Sequence, residues 1–97
     1  MQRDDALARL RQHEADLRRL CVLSLFLFGS TAGGDARAGV DVDLFHEYQK
    51  GTLGLLEVIA IQDAASAILG RGADAMPREG IDRYVRPYAE DDAVRVF

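Results

Sequence analysis

The sequence predicts an α/β (α+β) fold, a small mixed β-sheet of about three to four strands flanked by helices. Three observations predict it. A nearly continuous apolar run, Val22 to Phe28, ends at a glycine. A second run, residues 40–46, opens with alternating apolar and acidic side chains. Helix-period segments precede the first run and follow the second, giving the order helix, strand, turn, strand, helix, strand, helix.

Residues 3–19 read as one amphipathic helix. Ala6, Leu7, Leu10, Leu17 and Leu20 recur at spacings of three and four, with Glu14 off the pattern. Asp4 and Asp5 lie in its first turn and Arg18 and Arg19 in its last, the arrangement that the helix dipole favours. Residues 22–28 read as a central strand buried on both faces. Residues 29–40 hold four of the nine glycines and three alanines, a small-residue turn with room for one helical turn. In residues 40–46, Asp41, Asp43 and Phe45 fall on one face of a strand and Val42, Leu44 and His46 on the other.

Residues 52–69 read as a second helix with Leu55, Leu56, Ile59, Ala60 and Ile68 as its apolar face, stopped by Gly70. Residues 72–76 are expected to form a third strand that Pro77 interrupts. Residues 79–96 are expected to be one or two helical segments, with Tyr84, Val85 and Tyr88 packing inward. Pro87 is either a break or the N1 position of the last helix.

At 97 residues the chain is expected to be a single domain, 1–97. Its net charge of −4 argues against a general nucleic-acid binder, which needs a basic surface. Arg3, Arg9, Arg11, Arg18 and Arg19 read as a solvated helix face. Cys21 is the one cysteine, so neither an intrachain disulfide nor a cysteine-based zinc cluster can form. It reads as a small buried hydrophobe, and a reducing, cytoplasmic location is expected. The run Leu20 to Phe28 is too short to span a bilayer. The acidic, helix-period segment before it is unlike a signal peptide.

The chemistry concentrates between residues 29 and 43. Gly29 lets the backbone turn and approach a phosphate closely, and Ser30 adds a hydroxyl donor. Two carboxylates two residues apart on a strand project to one side, with Cα atoms roughly 6.5–7 Å apart. They can reach one Mg²⁺ or share a pair of ions. A pair of solvated charges on a sheet edge is the alternative. Val40, Val42, Leu44 and Phe45 weigh against it, because acids on a buried strand need a cation or hydrogen bonds. His13 and His46 are isolated, and His46 reads as a rim or sheet-face residue.

The stretch from Leu27-Phe28-Gly29-Ser30 to Asp41-Val42-Asp43-Leu44 closely resembles the signature of the DNA-polymerase-beta-like nucleotidyltransferases, in particular their minimal single-domain branch. Leu69 to Met76 and Glu90 to Phe97 are similar to that branch too. The resemblance implies that Gly29 and Ser30 hold the triphosphate of ATP or another NTP. It implies that Asp41 and Asp43 bind two Mg²⁺ ions, and that Asp74 is a third carboxylate serving the incoming hydroxyl. On sequence grounds a solvated strand-end aspartate is the alternative for Asp74.

The chain departs from the family at Gly33, where Arg is common, at Ala38 for Pro and at Val40 for Ser. Arg37 is a candidate substitute cation, with a surface role as the alternative. The resemblance further implies a HEPN-type toxin as partner, adenylylated on a tyrosine, with the apolar residues near Tyr84 to Phe97 as docking surface. A non-catalytic module that neutralises its partner by contact is the competing expectation.

Overall fold

The computed structural model describes residues 2–32 and 41–97. The elements are α1 (Arg3–Gln12), α2 (Glu14–Arg19), β1 (Val22–Phe28), α3 (Gly29–Ala32), β2 (Val42–Tyr48), α4 (Leu55–Leu69) and β3 (Ala73–Pro77). A 3₁₀ turn (Arg78–Gly80), α5 (Arg86–Asp92) and β4 (Val94–Arg95) follow. Among the described residues, no helix is long and apolar enough to cross a membrane.

The four strands form one sheet in the order β3-β2-β1-β4, with β2 and β3 parallel and the other two pairings antiparallel. The sheet is therefore mixed, and helices accompany it as expected. One face, carrying Leu25, Leu27, Val42, Leu44, Ala73 and Ala75, packs on Ala6, Leu7, Leu10 and Leu17 from the first two helices and on Ile61, Ala65 and Leu69 from α4. The other carries a smaller apolar cluster, in which Phe45, Ile81 and Ala89 are buried beside Phe26, Phe28, Met76 and Ala93.

The N-terminal helix is two helices. His13 breaks it at φ −110° and ψ 20°, with its Nδ1 3.0 Å from the Arg9 carbonyl oxygen. Leu10 and Leu17 reach the same core from either side of that break. The arginines here do more than solvate a surface. Arg3, Arg9, Arg11 and Arg18 each donate to a backbone carbonyl of another segment, at Ala32, Leu69, Val96 and Leu23. Cys21 is half-buried and turns the chain into β1 at φ 70°.

The face of α4 differs from the expected one. Leu55 and Leu56 are 76% and 77% exposed and Ile59 is exposed as well, while Ile61, Ala65 and Leu69 are buried. The helix is apolar nearly all round, so two stripes of helical spacing compete, and packing selects the second. Gly54 precedes its first turn and donates its N–H to the Glu57 carboxylate at 3.0 Å. Gly70 closes it in the left-handed conformation, as expected.

The C-terminal segment also differs. Pro87 does sit in the first turn of α5. Tyr84 and Tyr88, however, are 70% and 73% exposed, and Val85 is exposed too, rather than packed. Beyond α5 the chain becomes strand β4 instead of continuing as helix, pairing Val94 with Leu27 and Arg95 with Phe26.

Candidate active site

The site is built where β1 ends and where β2 and β3 begin. After Phe28 the backbone turns at Gly29, with φ +75°, into the single helical turn α3. Antiparallel pairing sets Phe28 opposite Asp43, and parallel pairing sets Asp74 beside Asp43 on the other flank. Asp41 stands one residue before β2, at the same parity as Asp43. Side chains alternate across a strand and register partners share a face, so Asp41, Asp43 and Asp74 project to one side of the sheet.

That side is the one floored by Phe26, Phe28 and Phe45, whose rings lie 4.9 Å (Phe26 to Phe45) and 5.5 Å (Phe28 to Phe45) apart. Towards the far end of β2, the Arg78 guanidinium sits 5.1 Å and 5.2 Å over the Phe26 and Phe45 rings and pairs with Glu47 at 3.3 Å. The acids occupy the opposite end.

Two close approaches shape the acids. An ideal Cβ on Gly29 would lie 2.5 Å from Asp43 Oδ2, so a side chain there would displace that carboxylate as well as strain the positive φ. On the other flank, a Cβ on Gly72 would overlap Asp41 Oδ1 and lie 3.0 Å from its Cγ. The Val42 N–H donates to the Gly72 carbonyl at 3.0 Å, tying that glycine to the residue after Asp41. Sequence reasoning gave Gly72 no role. A glycine opening the predicted third strand is the signal that could have found it.

Asp43 is half-buried, whereas Asp41 and Asp74 are exposed. The Asp43 carboxyl is raised above the usual aspartate value, first by burial and then by the negative charges of Asp74 and Asp41. A carboxylate pressed between two others favours a cation in front of it. The donors are hard oxygens, which suit Mg²⁺. Among the described residues, no group of three His, Cys, Asp or Glu side chains could by itself hold a metal ion. Magnesium fits this arrangement because it keeps several waters and takes one or two carboxylates plus substrate phosphates, rather than a full protein cage.

Gly29, Asp41, Asp43 and Asp74 are thus brought together as a group. Ser30 lies within α3, but its side chain is outside the described residues, and so are Arg37, Gly33, Ala38 and Val40 in full. His46 lies on the opposite face, fully buried, and neither ring nitrogen has a hydrogen-bond partner among the described residues.

The fold matches known structures. A protein assigned as a minimal nucleotidyltransferase superposes with a TM-score of 0.82 at 26% identity, over 97% of this chain and 95% of that one. A toxin–antitoxin structure with AMP-PNP gives 0.73 at 14% identity, over 90% of this chain and 72% of that one. The MntA-HpeT toxin–antitoxin structure, in a mutant form, gives 0.71 at 11% identity, over 90% and 71%. No curated protein matches the chain by sequence. The nucleotidyltransferase domain model matches residues 10–96, nearly the full length, and the chain belongs to that family, as a minimal nucleotidyltransferase of the polymerase-beta-like superfamily.

Proposed function

We propose that this chain transfers a nucleoside monophosphate, AMP from ATP, to a hydroxyl group. The observation that carries the reading is the placement of Asp41, Asp43 and Asp74 on one face beside the Gly29 turn. Asp41 and Asp43 would hold Mg²⁺, with Asp74 completing the acidic set. The metal, when bound, supplies positive charge that offsets the phosphates and acidifies a nearby hydroxyl. The acceptor oxygen bonds to the α-phosphorus, the bond from that phosphorus to the bridging oxygen breaks, and pyrophosphate leaves. Asp74, exposed and across from Asp43, is positioned to orient the acceptor hydroxyl and take its proton.

The acceptor in this reading is a tyrosine on a HEPN-family toxin, and the chain acts as its antitoxin. Two observations support a protein partner. Two structures with the same fold are toxin–antitoxin structures, one of them with AMP-PNP. The chain also exposes Leu55, Leu56 and Ile59 on α4, and Tyr84, Val85 and Tyr88 at the start of α5. Large apolar side chains grouped at a surface mark sites of association.

The test is incubation with α-labelled ATP, Mg²⁺ and the protein encoded beside it. Label on that protein, absent with Asp41→Ala plus Asp43→Ala, is the expected result. Neutralisation of the partner that survives both substitutions with no transferred label would establish contact alone as the mechanism.

A further inference from the structure

The geometry points to Gly72 as a positioning residue for the Asp41 carboxylate. The backbone does not require glycine at this position. Among the described glycines, positive φ values occur at Gly29, Gly51 and Gly70, and Gly72 is not one of them. What sets Gly72 apart is space. The volume that its Cβ would fill is taken by Asp41, whose Oδ1 would overlap it and whose Cγ would lie 3.0 Å away.

The Gly72 backbone cannot easily withdraw from that contact. Its carbonyl accepts the Val42 N–H at 3.0 Å, and the next residues, Ala73 and Asp74, are in parallel register with Val42 and Asp43. Any side chain at residue 72 would therefore move the exposed Asp41 carboxylate rather than the strand. Gly29 stands in the same relation to Asp43 from the β1 side. Asp41 and Asp43 are each seated against a missing Cβ, one on either flank. Gly72 would thus set where one of the two metal-binding carboxylates points, a role that rests on the reading of Asp41 as a metal ligand.

Gly70 supplies the control. It needs glycine for its φ of +69°, and a Cβ there would meet nothing closer than Arg9 Nη1 at 3.7 Å. The experiment measures Mn²⁺ binding by calorimetry, and thermal stability, for the full chain and for Gly72→Ala, Gly70→Ala and Asp41→Ala. Gly72→Ala is expected to weaken Mn²⁺ binding about 10-fold, the scale of losing a group that orients a ligand, and to melt close to wild type. Gly70→Ala is expected to melt lower and bind Mn²⁺ as wild type does. Wild-type Mn²⁺ affinity in Gly72→Ala, with affinity lost in Asp41→Ala, overturns the inference and leaves the proposed function standing.

Unchanged affinity in Asp41→Ala overturns the metal reading instead. The role of Gly72 is then decided by a crystal structure of Gly72→Ala, where an unmoved Asp41 carboxylate overturns it and a displaced one upholds it. Should Gly72→Ala fail to fold, the double variant Asp41→Gly plus Gly72→Ala, which removes the overlap, is expected to fold. Failure of the double variant as well overturns the inference.

Discussion

Asp43 stands in register with Asp74 on the adjoining parallel strand, and after burial the Asp74 charge is the largest reason that Asp43 resists ionising. Because its folded pKa lies above its unfolded value, ionising Asp43 costs stability. The penalty is absent below the unfolded value, grows as pH rises through the folded one, and stays in force at neutral pH. Asp43→Asn is therefore expected to melt higher than wild type at pH 7 in EDTA, while losing Mn²⁺ binding. An equal or lower melting temperature in EDTA would contradict the electrostatic account.

Gly29→Ala is expected to cost more than Gly51→Ala. Both glycines have positive φ, +75° and +84°, so each substitution pays roughly 1–2 kcal/mol for the backbone. Only at residue 29 does the new methyl also meet Asp43 Oδ2, since nothing lies within 4 Å of a Cβ at residue 51. Urea denaturation of the two variants measures the difference. Equal losses would show that the carboxylate moves aside without cost.

His46 should give the fold an acid limit. Burial lowers its pKa from 6.5 to about 4, opposed in part by the charge of Glu79. The unfolded chain then binds the proton more tightly. Stability is full above pH 6.5 and falls as the pH drops towards 4, by about 3 kcal/mol for one such group at the end of that window. His46→Leu is expected to flatten this part of the profile, followed by urea midpoints between pH 4 and 7. A slope that persists in His46→Leu would assign it to other groups.

The two faces of α4 should separate cleanly under mutation. Leu55→Ser and Leu56→Ser are expected to change stability by no more than about 0.5 kcal/mol. Ile61→Ala and Leu69→Ala, on the buried stripe, are expected to cost about 2–5 kcal/mol. Thermal or chemical denaturation of the four variants decides it. A large loss at Leu55 or Leu56 would place those side chains in a core rather than at a surface.

What was legible in the sequence, and what was not, follows from how local each signal is. Strand β1 was readable to the residue, because six apolar side chains in seven positions, ending at a glycine, leave little choice. The order and spacing of Gly29, Asp41 and Asp43 was readable because the chemistry sits on consecutive stretches of chain. The facing of α4 was not, since both of its stripes are apolar and only the packed sheet distinguishes them. Strand β4 is two residues long and follows Glu90-Asp91-Asp92, with no alternation to reveal it. Gly72 escaped notice because its partner, Asp41, is remote in sequence and is brought near only by the parallel pairing of β2 and β3.

The outer strand β3 turns its free edge towards α4. Ser66 Oγ accepts the Ala73 N–H at 3.1 Å and Gln62 Oε1 accepts the Ala75 N–H at 3.3 Å, so two backbone donors that another strand would need are already engaged. At the far side the sheet ends in the two residues of β4. Among the described residues, neither border offers a long open ladder. Addition of a partner strand, and fibre-like growth of the sheet, are therefore discouraged at both ends.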